Sequence, residues 1–333
     1  MWHNLKGYKM ADAIANVNGI DSFAHVGEPG WHNKGQKLEQ GASIEAWAQA
    51  AGLGYNIKRA YVRYFTDRAQ DTSDMRTVED RVVQFRSDTG AELGIVSDSF
   101  KTVQPVQVLE FFRQYADEGG AQLETAGALH GGRLVFALAK LGDGVAVDST
   151  GHDRILPYLY LSTACDGTRA TEVRFTAIRV VCANTDAMAR TGGKAAHKTS
   201  HRTVWVPEDA KRAVEAANAE FGAYCTMARE LQRVRINTVQ AAEFTATLVG
   251  SAKTETGRTS SAFARVMSLF QGTARGATLD SSNGTAWGYL NAVTQYADYD
   301  TRATAVDNRL VSSMYGAGDK LKASARDLLL STI

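Results

Sequence analysis

Between residues 168 and 202 the chain reads TRATEVRFTAIRVVCANTDAMARTGGKAAHKTSHR. Val173, Phe175 and Ala177 alternate with Arg174 and Thr176, the period of a strand with one buried face. At Ile178 the apolar phase shifts, so a bulge or bend is expected near Ala177. Asn184 and Thr185 are good N-cap residues ahead of AMAR, which predicts a short helix ending at Gly192-Gly193.

The same alternation predicts strands over 55–65 and 81–86, with SDTG as a turn into ELGIVS, an antiparallel meander. Ser43 caps a short helix with Ile44, Trp47, Ala48 and Ala51 on one face. Pro105 opens a second helix that runs to about residue 117, with Val108, Phe112 and Tyr115 inward. Two strand pairs follow, QLETAGAL with RLVFALAKL and ILPYLYLSTA with TRATEVRF, and Asp166-Gly167 is a hairpin signal. A strand is expected at HRTVWV. Pro207, Glu208 and Asp209 start a long helix whose apolar residues Ala210, Val214, Ala217, Phe221, Tyr224, Ala228 and Leu231 recur at alternating spacings of four and three, a heptad seam. That seam packs on its own sheet or on a neighbouring subunit. Helical patterns then occupy 238–249, 259–271, 285–298, 302–315 and 319–331. The fold class implied is α+β: a twisted antiparallel sheet with inserted helices, one long helix and an all-helical C-terminal region. It divides into an arm (1–42), a core (43–236) and a helical region (237–333).

A chain of 333 residues that is 44% hydrophobic and 22% charged can bury a sizeable core. The net charge of +1 supplies no global field to recruit nucleic acid or a membrane. Charge is unevenly spread, however. Residues 169–202 carry seven Lys or Arg against two acids, a local +5, and residues 67–124 carry twelve acids against six basic residues, a local −6. Three widely spaced cysteines (Cys165, Cys182, Cys225) fit a reducing cytoplasm rather than a disulfide framework. MWHNLKGYKMADAIANVNG lacks an apolar core, so no signal peptide is expected, and no run approaches the roughly 20 apolar residues of a membrane span.

His197 and His201 are four apart, but two glycines upstream and the absence of a paired Glu argue against a metal site. Cys182, in an RVVCAN strand context, reads as a structural thiol rather than a nucleophile. GGK and GAGDK lack phosphate-loop spacing. Arg174 and Arg179, followed by a basic glycine-containing loop, are placed to track a phosphate backbone, with Trp205, Tyr158 and Tyr160 as alternative stacking faces or core.

RFTAIRVVCANT (174–185), HVGEPGWHNKG (25–35) and NGTAWGYLNAVTQYADY (283–299) resemble, in order and spacing, the phage/plasmid-like proteins that carry the domain of unknown function numbered 932. A more distant likeness is to phage single-strand annealing proteins of the Red-beta and Erf type, in which a twisted sheet and a long helix form one subunit of a ring. The resemblance implies a non-enzymatic, ATP-independent protein of a bacterial host's cytoplasm. It would bind single-stranded DNA, use no cofactor, and anneal strands as a ring or filament alongside a phage exonuclease or a host single-strand-binding protein. The expected backbone contacts are Arg169, Arg174, Arg179, Lys194, Lys198 and Arg202, with Asn184 and Thr185 positioning the junction. Phe221, Tyr224 and Leu231 are the expected oligomer contacts. The rival expectation is a self-assembly or host-interaction module that binds no nucleic acid.

Overall fold

The computed structural model describes residues 14–27, 35–66, 74–117, 121–179, 184–187, 197–251, 260–301, 312–313 and 316–332. The small ribbon β1 (Asn16–Val17) and β2 (Ile20–Asp21) leads into β3 (Phe23–Val26) and β4 (Gln36–Leu38). Helix α1 (Ile44–Ala50) starts where Ser43 accepts the Ala46 N–H, as the sequence anticipates. The meander β5 (Ile57–Phe65), β6 (Met75–Arg86) and β7 (Glu92–Ser97) forms its own antiparallel sheet. After α2 (Pro105–Asp117) come β8 (Ala121–Leu129), β9 (Leu134–Leu141), β10 (Val145–Ala146), β11 (Arg154–Ala164), β12 (Thr171–Arg179), β13 (Asn184–Ala187) and β14 (His197–Thr199).

These strands make the main sheet, ordered β13-β12-β11-β9-β8-β3-β4, with β10 on β11 and β14 on β12. All its described pairings are antiparallel except β3 with β4. The C-terminal helices are α3 (Pro207–Leu231), α4 (Thr238–Val249), α5 (Ser261–Ser268), α6 (Ala286–Gln295) and α7 (Ala317–Leu330). The mixed α and β content and the helical C-terminal region agree with the pattern in the sequence.

Side-chain parity shows how the layers stack. Leu159 faces Phe175 across the ladder and Leu161 faces Val173, so these residues share one face of the sheet. Leu159, Leu161 and Val173 join the core of α1 and α2, with Trp47, Leu109 and Phe112. Ile155, Phe175 and Ala177 join the core of α3, α6 and α7, with Tyr224, Trp287 and Leu329. Two groups of helices therefore cover one face side by side. The second core spans residue 236, so the boundary placed there in the sequence does not separate two cores. On the opposite face Phe23, Phe136 and Tyr160 pack together.

Buried polar groups tie the parts together. Asp153, fully buried, accepts from Ser281 Oγ (2.6 Å) and Trp287 Nε1 (3.0 Å), joining β11 to α6. Lys322 of α7, 1% exposed, lies 3.1 Å from Asp298. The meander sheet meets the main sheet at Arg86, whose guanidinium sits 3.7 Å from the Tyr55 ring centroid and pairs with Asp88. A Cβ on Gly132 (φ +106°) would fall 2.7 Å from Arg86 Nη1 and 2.8 Å from Tyr55 Oη, so the β8–β9 turn needs glycine there.

Three local expectations are corrected. The pairing of β11 with β12 is unbroken from Glu172 to Arg179, so there is no bulge at Ala177. Asn184 and Thr185 do not cap a helix: 184–187 form β13, which pairs back on Thr176–Arg179. The strand expected at HRTVWV lies earlier, at His197–Thr199, and Trp205 leaves the ladder to meet Phe111 (6.0 Å) and His197 (5.9 Å).

Candidate nucleic-acid interface

The β11–β12 hairpin closes through Asp166, whose Oδ1 accepts from the Thr168 N–H (2.9 Å) and hydroxyl (2.6 Å), with Gly167 at φ +79°. This turn delivers Arg169 to the end of the sheet. The loop after β14 is held by Ser200, whose carbonyl accepts the Thr203 N–H at 3.0 Å. It presents His201 to the same place.

His201 organises this junction. Its Nδ1 lies 2.8 Å from the Lys101 carbonyl and its Nε2 3.1 Å from the Arg169 carbonyl, and the Lys101 N–H donates to the His201 carbonyl at 2.6 Å. The ring stacks on Phe100 at 4.2 Å. A neutral imidazole donates to one of the two carbonyls and an imidazolium to both. Three segments distant in sequence are thereby joined, and Lys101, Arg169 and Arg202 are carried on adjoining backbone. Lys101 and Arg202 are exposed and Arg169 is half-buried. Lys101 is missed by reading the sequence because it lies in the acidic stretch 67–124, where local charge gives no signal for it.

The other expected contacts fare differently. Arg174 is 11% exposed and turns inward. Its Nε and Nη2 are each 3.2 Å from Glu172 Oε2, and its Nη1 is 4.0 Å from Asp319 of α7. That corrects its assignment as a phosphate contact, because both carboxylates already neutralise it. Lys198 is 63% exposed but lies 2.9 Å from Glu172 Oε1. Arg179 pairs with Asn184, and Thr185 with Ile178, along the β12–β13 ladder. Their side chains, and Lys194 altogether, lie outside what is described.

From Phe221 onward the heptad residues face the chain's own core. Phe221 meets Phe175 at 5.8 Å and Tyr224 meets Trp287 at 6.3 Å, while Leu231 is fully buried. This corrects their placement on an oligomer interface, since the sheet and α6 already cover them. Tyr158, Tyr160 and Trp205 are buried as well and offer no stacking face.

Among the described residues, neither cysteine is poised as a nucleophile. Cys182 lies outside the described residues. Burial pushes the Cys165 thiol up to about 12 and the Cys225 thiol up to about 11. His197 and His201 sit on a strand and in the following loop, not on one helical turn, and His197 Nε2 is 2.9 Å from Thr199 Oγ1. Among the described residues no group of three His, Cys, Asp or Glu is placed to hold a metal, and no helix is long and apolar enough to cross a membrane.

Residues 92–315, more than half of the chain, match the family model described as Domain of unknown function (DUF932). The chain belongs to the DUF932 family. No curated protein and no solved structure matches it. Within the DUF932 match fall Lys101, Arg169, His201 and Arg202. The motif at 25–35, β5 and β6 lie N-terminal to it.

Proposed function

We propose that this DUF932 protein binds single-stranded DNA and anneals complementary strands without ATP. The observation that carries the proposal is the His201 junction, which holds Lys101, Arg169 and Arg202 on backbone fixed by hydrogen bonds at the end of the sheet. Cations held in this way neutralise phosphates at a lower entropic cost than free side chains on a mobile loop. Backbone contacts alone leave bases free to pair, so hybridisation with a second strand supplies the driving free energy. On this reading its partners are the single strand, further copies of the chain in a ring or filament, and a phage exonuclease or host single-strand-binding protein.

Tyr224 and Leu231 pack inside the chain, so self-assembly without nucleic acid draws no support from these two seam residues. The test is a double variant, Arg169→Glu with Arg202→Glu. Single-strand affinity should fall at least about tenfold, and the slope of log affinity against log salt should shrink by roughly 1.4, since each single-strand phosphate contact contributes about 0.7. A folded double variant with normal affinity and slope overturns the site.

A further inference from the structure

We infer that the ribbon of β5 and β6 is a second contact surface for single-stranded nucleic acid, one that stacks aromatic rings on bases. This rests on the function proposed above and deepens it. After the buried Ile57, every residue of β5 is exposed except the half-buried Val62. β7 pairs with β6 only over Arg81–Phe85, so among the described residues Arg63–Phe65 and Met75–Thr77 stand as two strands with no third.

Three large rings project from this ribbon, Tyr61 (67% exposed), Tyr64 (52%) and Phe65 (41%), with the neighbours Tyr64 and Phe65 on opposite faces. A single exposed aromatic residue is ordinary, but three within five residues are not. Between them and around them lie cations. Arg59 and Arg81 pair with Asp98 and Asp80, whereas Lys58, Arg63 and Arg76 make no ion pair among the described residues. Over residues 57–66 and 74–81, which Thr66 and Asp74 join, there are five cations against Asp74, Glu79 and Asp80, a net +2 within a stretch of the chain that is otherwise acidic. Tyr64 and Arg76 are cross-strand partners, so a ring and a guanidinium rise from the same side of the ribbon.

Rings alternating with unpaired cations are the chemistry that holds a single strand, with stacking for bases and charge for phosphates. A second copy of the chain fits less well, because a two-fold contact would set this net positive surface against itself. The ribbon also leads to the first site. Arg59 Nη2 is 3.1 Å from Asp98 Oδ1, on the segment that continues from β7 to Lys101.

The experiment titrates a labelled oligothymidylate at low salt with the full chain, with Tyr64→Ala plus Arg76→Glu, and with Tyr64→Phe, taking a light-scattering mass on each. The double variant should bind about tenfold more weakly and Tyr64→Phe within about twofold of the parent, since one stacked base accounts for roughly fivefold or more. Unchanged affinity in the double variant, while the parent binds, overturns the ribbon and leaves the proposed function standing. A smaller assembly mass with unchanged affinity also overturns it and makes the ribbon a contact between copies. A parent chain that binds no oligothymidylate ends both proposals.

Discussion

Arg174 shows how a residue can be read correctly for side and wrongly for role. Alternation along β12 puts it opposite Val173 and Phe175, which is where it lies. What the local sequence omits is Asp319, 145 positions later, which with Glu172 encloses the guanidinium. Removing one member of such a buried network leaves charge uncompensated. Arg174→Ala should therefore lower unfolding free energy by on the order of 3 kcal/mol, read from the denaturant midpoint, while folded protein keeps its single-strand affinity. A loss below roughly 0.5 kcal/mol, as at an ordinary surface site, would show that the network is not formed. The His201 junction was illegible for a related reason, because its partners are backbone carbonyls of residues 32 and 100 positions away.

Elements were more legible than residues where a local signal sufficed. Pro105 and Pro207 start α2 and α3, Ser43 caps α1, and Asp166-Gly167 turns the β11–β12 hairpin. The segment 184–187 escaped because Asn184 and Asp186 disfavour strands by local propensity, and the ladder offered by β12 overrides that preference. Long-range packing of elements was equally hidden. Asp153 binds β11 to α6 across more than 120 positions, accepting two side-chain donors in the core. Asp153→Ala leaves both donors unsatisfied at roughly 1–3 kcal/mol each, so thermal unfolding should move well down and the Trp287 environment should change in fluorescence. Asp153→Asn, which keeps an acceptor oxygen, should recover part of the loss. Equal stability in the alanine variant would mean that the buried carboxylate does not couple the sheet to the helices.

For the whole molecule, the near-neutral charge conceals a division that the fold partly rearranges. The basic stretch 169–202 is not a uniform strip, since Arg174 is withdrawn and Lys198 is paired, while Lys101 joins the junction from the acidic stretch. The proposed ribbon of β5 and β6 would add rings and cations to this junction through the contact of Arg59 with Asp98. The most direct measurement is fluorescence anisotropy of a labelled single-stranded oligonucleotide titrated with the full chain at several salt concentrations, with duplex of the same sequence alongside. Salt-sensitive binding that prefers the single strand, followed by faster pairing with a complementary strand, is the predicted result. Absence of binding at low salt, or equal binding of duplex with no gain in pairing rate, would contradict it.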